Sequence, residues 1–189
     1  PNCKAEDQYG DVCEACGTTY EPVDLVKPRC YICGKEPLIQ KSRQLYVKLD
    51  SCSSFLKEYV ENAGVLQEEI RNYVRNWISQ GLQEWCISRD GPYFGFKIPG
   101  TENKYFYVWL DAPVGYLSTT EKWCKENGKR IEDYWAPESN TRIIHFIGKD
   151  IVYFHALFWP LMLKNSGFKL PSSIVVHGFL NIMGQKMSK

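Results

Sequence analysis

The stretch RIIHFIGKDIVYFHALFWPLMLK, residues 142–164, joins a short apolar run to a longer apolar segment through three polar positions. The run Arg142–Ile147 is typical of a buried strand, which would end at Gly148-Lys149-Asp150. The segment Tyr153–Lys164 has the length of a helix, and Gly167 is expected to end it. The order of these elements predicts one strand–helix unit of an α/β fold.

Two further apolar runs lie on either side of this unit. Tyr105–Leu110 is predicted to be a buried strand that ends at Asp111-Ala112-Pro113, and Ser173–Phe179 is predicted to be another, containing His177-Gly178. Buried strands that alternate with helices indicate a parallel sheet with both faces covered. Because ligands bind beyond the carboxyl ends of such strands, the polar clusters at these ends are candidate site residues.

The region before Trp85 is predicted to contain one strand and two helices. The strand is Leu45–Leu49, and the first helix begins at Ser53 or Ser54 and ends near Gly64. The second helix runs from about Leu66 to Gln80, with apolar side chains at helical spacing that are expected to pack in the core.

The first 40 residues are rich in Cys, Gly, Pro and charge. Such a segment cannot form a hydrophobic core of its own, so it is expected to be stabilised by a cross-link such as a bound metal or disulfides. Four of the eight cysteines form two Cys-x-x-Cys pairs, Cys13/Cys16 and Cys30/Cys33, each followed by Gly. Such turns point two thiolates at one place, which favours a metal over disulfides. Reduced cysteines indicate a reducing compartment, most simply the cytoplasm.

A tetrahedral zinc site needs four ligands, and Cys3, Cys13 and Cys16 supply three. A cysteine directly before Pro1 would complete the set, and we interpret both ends of the sequence as cuts through a longer protein. Cys30 and Cys33 form half of a second, less certain site. The alternative is a free-standing zinc ribbon that binds nucleic acid, which the sparse Lys and Arg around the knuckles disfavour.

Composition excludes several classes of protein. The 189 residues suffice for one core, or for one core and a small satellite domain. A net charge of +1 gives no global field for nucleic-acid binding, so any such contact must be local. The apolar runs are too short or too interrupted to span a membrane, and the sequence shows no signal peptide.

Four segments together carry a family resemblance: YFYVWLDAPVGY (105–116), FIGKDIVYFH (146–155), KMSK (186–189) and DQYGD (7–11). In their order along the chain, these segments resemble the methionyl-tRNA synthetases, a family of class I aminoacyl-tRNA synthetases. The resemblance covers the whole chain. The resemblance implies an α/β fold: the second half of a Rossmann-type parallel sheet with an inserted zinc-knuckle connective-peptide domain. It assigns residues 1–40 to the knuckles, 41–88 to the rest of the insertion and 89–189 to the catalytic domain.

The family's reaction joins L-methionine to ATP as methionyl-adenylate and then transfers the methionyl group to tRNA(Met). The resemblance implies Mg²⁺ and Zn²⁺ as cofactors and a cytoplasmic location. The family's upstream His-Ile-Gly-His-type ATP motif is absent from these 189 residues. We therefore expect them to be inactive alone.

The resemblance also implies a pocket for the methionine side chain. A thioether is apolar and polarisable and favours aromatic neighbours, so selection rests on shape and on a weak donor to sulfur from Tyr116 or His155. The alternative for the tryptophans is core packing, and for His155 a structural role. The residues that match the pocket are Trp109, Ala112, Pro113, Tyr116, Ile151, Phe154, His155 and Trp159.

A second set of residues matches the family's ATP-binding and catalytic positions. Lys186 and Lys189 resemble a loop that neutralises charge growing on the phosphates, with Lys189 closest to the transition state. The alternative for these lysines is a solvated basic loop, and Arg89 and Asp150 could instead form a structural ion pair. The catalytic set is Lys189, Lys186, Asp150 and Arg89; the ATP set is Gly148, Lys149, Asp150, His177, Gly178, Lys186 and Lys189.

Two other functions remain open. The first is another class I synthetase of the leucine, isoleucine, valine or cysteine group, although the zinc that holds a cysteine substrate needs an open, mixed ligand set unlike these all-Cys knuckles. The second is a zinc-dependent tRNA-binding relative without catalysis.

Overall fold

The structure is a computed structural model that describes residues 3–8, 22–62, 64–178, 181–182 and 185–186. The chain divides into two compact units, Pro1–Arg43 and Gln44–Lys189. In the first unit, the described residues include a short 3-10 helix, Pro22–Asp24, and a turn at Cys30–Gly34.

The second unit contains eight strands and six α-helices among the described residues. The strands are β1 Tyr46–Val47, β2 Trp85–Cys86, β3 Ser88–Asp90, β4 Lys104–Phe106, β5 Ile144–Gly148, β6 Ser173–His177, β7 Asn181–Ile182 and β8 Gln185–Lys186. The helices are α1 Ser53–Glu61, α2 Glu68–Ser79, α3 Val108–Asp111, α4 Val114–Glu126, α5 Glu132–Trp135 and α6 Trp159–Asn165.

The parallel pair of β5 and β6 confirms the predicted α/β class. Ile144 pairs with Ser173 and Gly148 with His177, so the two carboxyl ends lie side by side. Side chains alternate along β5, with His145 and Ile147 buried. Leu66 forms a parallel bridge to Ile174.

Helices α1 and α2 confirm the predicted pair of helices, with α2 two residues shorter at its start. Glu68 and Glu69 in its first turn complement the positive end of the helix dipole. Ile70 and Val74 lie one turn apart on its buried face. The helix ends before Gly81, whose φ of +89° favours glycine. The predicted strand before them is also shorter than expected, Tyr46–Val47.

The predicted buried strand Tyr105–Leu110 is wrong. Only Lys104–Phe106 is a strand, and it pairs antiparallel with β3 rather than within a parallel sheet. After Tyr107 the chain turns into α3, in which the Ala112 N–H donates to the Val108 carbonyl. Apolar runs of this length do not distinguish strands from buried helical turns. The predicted strand end at Asp111-Ala112-Pro113 is therefore the junction of α3 and α4.

The predicted helix Tyr153–Lys164 begins with a widened turn. Phe154–Phe158 is π-helical, with the Trp159 N–H donating to the Phe154 carbonyl, and α6 follows. Pro160 explains the widening, because it lacks an N–H and its ring crowds the carbonyl four residues earlier. His155 and Trp159 both lie buried in this helical segment.

The main core lies between α1, α2, the parallel pair and the π-helical segment, and includes Leu56, Val74, Leu157 and Ile174. A second cluster contains Trp135, Trp159 and Leu163. Within the described part of the chain, none of the helices is long and apolar enough to cross a bilayer.

Candidate functional site

The carboxyl ends of β5 and β6 bring three of the predicted ATP residues together. A Cβ placed on Gly148 would lie 2.5 Å from Oδ1 of Asp150 and 3.8 Å from Cε1 of His177. The Asp150 carboxylate therefore folds back over the backbone of Gly148. Any side chain at position 148 would displace this carboxylate, so only glycine fits there. Gly178 follows directly, and its carbonyl oxygen is 2.9 Å from Nδ1 of His177.

Gln67 fixes the backbone beside this edge. Its Oε1 accepts from the Val176 N–H at 2.8 Å, and its Nε2 donates to the Val176 carbonyl at 3.0 Å. The side-chain amide thus takes the place of a neighbouring strand next to β6. Sequence reasoning missed Gln67. It lies inside the predicted second helix, and nothing in that position indicates a contact with Val176, 109 positions away.

The side chains of Lys149 and Arg89 lie against aromatic rings rather than against Gly148, Asp150 or His177. The Lys149 ammonium lies 5.9 Å from the ring centre of Tyr73, within cation–π range, and lines a groove of about 230 Å³ along α2. The Arg89 guanidinium lies 4.0 Å above the Tyr107 ring and donates to the Ser88 carbonyl. Among the ion pairs between described residues, none joins Arg89 to Asp150.

Tyr116 and His155 form a hydrogen-bonded pair. The Tyr116 hydroxyl oxygen is 3.0 Å from Nε2 of His155, and Nδ1 of His155 is 3.1 Å from the Ile151 carbonyl oxygen. A carbonyl only accepts, so Nδ1 carries the proton, and Nε2 of the neutral ring accepts from Tyr116. Burial lowers the pKa of His155 and raises the pKa of Tyr116, which keeps both groups neutral.

The predicted pocket aromatics also cluster. Trp109 stacks on Phe154, with ring centres 4.7 Å apart and planes 9° apart. Trp85, which sequence reasoning missed, contacts Phe154 and lies 3.7 Å from Phe158 between ring centres. Trp85 lies between the resembling segments 7–11 and 105–116 and belongs to neither, so the motifs gave no signal for it.

The other predicted pocket residues lie near this cluster in the chain. Pro113 is buried, Ala112 is exposed and Ile151 is half-buried. Trp159 is 1% exposed and its ring centre is 6.1 Å from that of Tyr116. The structure therefore gathers Trp109, Tyr116, Phe154, His155 and Trp159 around the π-helical segment.

His145 is a further member that sequence reasoning missed. It is 7% exposed, and its Nε2 accepts from the Trp159 indole N–H at 3.1 Å. Its ring centre lies 4.6 Å from that of Tyr116. The available signal was its position in β5, one residue before Phe146 and therefore on the opposite, inward face.

Two of the five predicted metal ligands lie outside the described residues. These are Cys13 and Cys16, whereas Cys3 is described and exposed. Of the two lysines predicted to bind ATP, Lys189 is not described, and Lys186 is described only as the end of β8. Among the described residues there is no group of three or more metal-ligating side chains.

Cys30 and Cys33 nevertheless fit two ligands of a thiolate site. Both are thiols. Backbone N–H groups of Cys33 and Ile32 donate to the Cys30 sulfur and lower the pKa of that thiol. The Gly34 N–H donates to the Cys30 carbonyl, and Gly34 has a φ of +68°. A turn that favours thiolate is what zinc requires.

Comparison with known proteins shows the family. The family model described as "tRNA synthetases class I (M)" matches residues 1–189. The chain belongs to this family of class I tRNA synthetases. A class I (M) relative named Methionine--tRNA ligase, from Myxococcus xanthus (strain DK1622), is 55% identical over 191 residues, which are 100% of this chain and 27% of the relative.

Solved structures of Mycobacterium tuberculosis methionyl-tRNA synthetase have the same fold. One, bound by methionyl-adenylate, matches 85% of this chain and 31% of its own, with a TM-score of 0.66 and 30% identity. The apo form matches 90% of this chain and 34% of its own, with a TM-score of 0.65 and 27% identity. The chain thus spans about a quarter to a third of the length of these class I (M) relatives.

Proposed function

We propose that these 189 residues are part of a longer methionine–tRNA ligase, which activates L-methionine with ATP and transfers it to tRNA(Met). The observation that carries the proposal is the convergence of Trp109, Tyr116 and His155 on one helical segment beside the carboxyl end of β5. The 55% identical Methionine--tRNA ligase supports the same reaction.

The amino-acid side chain would bind among these rings. Trp109 and Phe154 offer apolar, polarisable faces that suit a thioether. Neutral Tyr116 and His155 satisfy each other's hydrogen bond, so a neutral sulfur costs little to bury beside them. None of these four side chains carries a charge that could pair with a charged substrate side chain. Selection for methionine would then rest on the shape of this cluster.

ATP would bind at the edge formed by Gly148, Asp150 and His177, with Gly178 approaching the base through its backbone. In the first reaction a methionine carboxylate oxygen attacks the α-phosphorus, and pyrophosphate leaves. Lys186 and Lys189 would neutralise the charge that grows on the phosphate oxygens, and Arg89 would assist. Mg²⁺ would accompany the phosphates; Asp150 is the one carboxylate in the predicted ATP set.

Zinc would stabilise the cysteine-rich unit rather than take part in the reaction. A closed thiolate shell leaves no open position for chemistry. Cys30 and Cys33 would hold one ion, and Cys3, Cys13 and Cys16 the other. A cytoplasmic location fits thiols that remain reduced.

The test is ATP–pyrophosphate exchange by the intact enzyme with methionine, leucine, isoleucine, valine and cysteine, each over a range of concentrations. We expect methionine alone to support exchange at micromolar to millimolar concentration. Lys189→Ala should lower kcat by about 100-fold or more while the methionine dissociation constant stays near the wild-type value. Lys125→Ala is the control, because among the described residues this surface lysine pairs only with Glu121.

Exchange that depends on one of the other four amino acids would replace methionine with that substrate. The absence of exchange with all five, from a folded protein that still binds tRNA, would favour the tRNA-binding relative without catalysis.

A further inference from the structure

His145 lies at the centre of three residues that we assign to the methionine pocket. Its ring centre is 4.6 Å from that of Tyr116 and 5.6 Å from that of His155. Its Nε2 lies 3.1 Å from the indole nitrogen of Trp159. No other described residue contacts all three of these side chains through its ring or a hydrogen bond.

The hydrogen bond between His145 and Trp159 has only one possible direction. An indole N–H donates and cannot accept, so Nε2 of His145 carries the lone pair and the proton of the neutral ring is on Nδ1. Burial, and to a smaller extent the nearby His155, lowers the pKa of His145 to about 4. The acceptor is therefore available throughout the neutral pH range.

Trp159 links this hydrogen bond to the pocket. It is buried at 1% exposure, so its N–H has no access to water and depends on His145. Its ring contacts Tyr116, and it lies one turn beyond His155 in the same helical segment. A displaced indole would shift Tyr116, whose hydroxyl donates to His155.

We propose that His145 is a positioning residue for the methionine pocket, which holds the Trp159 indole and, through it, the Tyr116–His155 pair in the geometry that accepts an unbranched thioether. This inference rests on the proposed function. His145 belongs to β5, whereas the three pocket residues belong to helices. Its contacts therefore fix the position of these helical residues relative to the sheet.

The test compares His145→Leu, Trp159→Phe and the double variant in the intact enzyme, by methionine-dependent ATP–pyrophosphate exchange. His145→Leu leaves a buried N–H without an acceptor, and we expect the KM for methionine to rise roughly ten-fold while the KM for ATP does not change. Trp159→Phe leaves the His145 Nε2 without a donor and should also raise the methionine KM.

The double variant gives the decisive readout. With both partners apolar, no buried polar group lacks a partner, so its methionine KM should be lower than that of His145→Leu alone. His145→Gln, whose amide oxygen can accept from the indole, should restore most of the wild-type KM. A role limited to packing would instead make the two single effects add and would give no rescue by glutamine.

The outcomes separate the two proposals. Wild-type enzyme that does not activate methionine overturns the proposed function and this inference with it. Active wild-type enzyme with unchanged or additive variants overturns this inference alone. If His145→Leu does not fold, Trp159→Phe and His145→Gln decide: a wild-type methionine KM in Trp159→Phe, or a loss in His145→Gln as large as that in Trp159→Phe, overturns it.

Discussion

The Tyr116 hydroxyl and Nε2 of His155 lie 3.0 Å apart, although 39 positions separate the two residues in the chain. The Ile151 carbonyl holds the proton of His155 on Nδ1, so the hydroxyl donates and the imidazole accepts. The sequence predicted a donor to the substrate sulfur from one of these residues. In this structure each already satisfies the other, so a sulfur must compete with this bond or rely on shape.

Removal of the Tyr116 hydroxyl should weaken methionine binding. Tyr116→Phe removes the donor to His155 and frees the imidazole to turn, so we expect kcat/KM for methionine in exchange assays to fall about five-fold to ten-fold. His155→Ala should raise the methionine KM or relax selection against its isosteres.

Tyr153→Phe is the matched control for Tyr116→Phe. It also removes a tyrosine hydroxyl, here from a ring that packs edge-on against Phe154 and Phe158, and that hydroxyl has no hydrogen bond to another described residue. Equal losses in the two variants would show that the Tyr116–His155 bond has no special part in substrate binding.

A methyl group at Gly148 should impair ATP use. The Cβ of Gly148→Ala would lie 2.5 Å from Oδ1 of Asp150, so the carboxylate has to move. Because small displacements of binding groups cost up to roughly 100-fold in rate, we expect a loss of that order in kcat/KM for ATP. Initial rates at saturating methionine measure it.

Gly115→Ala is the control, since a Cβ there meets nothing within 4 Å and α4 accepts alanine readily. If Gly148→Ala retains wild-type kinetics for ATP, the Gly148–Asp150 contact does not belong to the nucleotide site.

Local patterns predicted the elements of the parallel unit well and the neighbouring segment badly. β5 was predictable because Gly148 and Asp150 end an apolar run that leads directly into a helix. The run Tyr105–Leu110 is also short and apolar, but its structure depends on the antiparallel pairing of Lys104 with Asp90, which no local pattern contains.

The same distinction applies to the candidate site. Motif resemblance found Trp109, Tyr116 and His155, which the structure brings together. It missed Gln67 and His145, because their roles come from hydrogen bonds to residues distant in sequence or on another element. Resemblance identifies the residues of a family site, whereas the groups that hold them depend on the tertiary structure.

Gln67 should stabilise the end of β6. Gln67→Glu replaces the donor to the Val176 carbonyl with a carboxylate oxygen, so two acceptors would face each other. We expect a loss of about 1–3 kcal/mol in local stability. Hydrogen exchange of peptides covering residues 173–178 in the intact enzyme should accelerate accordingly.

Gln83→Glu makes the same chemical change at an exposed position between helix and strand and serves as the control. Unchanged exchange in the 173–178 peptides of Gln67→Glu would show that the amide does not support this strand. A rise in the KM for ATP should accompany faster exchange, because His177 and Gly178 follow the supported residue.

Because His145 is buried as a neutral ring, we expect acid to destabilise this part of the fold. Burial, and to a smaller extent His155, lowers its folded-state pKa to about 4, whereas an unfolded histidine has a pKa of about 6.5. Between these values the unfolded chain binds more protons, so stability falls as the pH drops from about 6.5 towards 4, by up to about 3 kcal/mol from this group. The groups facing it are His155, Tyr116 and Trp159.

Two measurements check this. NMR titration of the intact enzyme, with the His145 signal assigned by its loss in His145→Gln, should give a pKa below 5. The difference in unfolding free energy between the wild type and His145→Gln should then narrow as the pH falls from 6.5 to 4 and stay constant above 7. A His145 pKa near 6.5 would mean that water reaches the ring and that its proton competes with the Trp159 indole for Nε2.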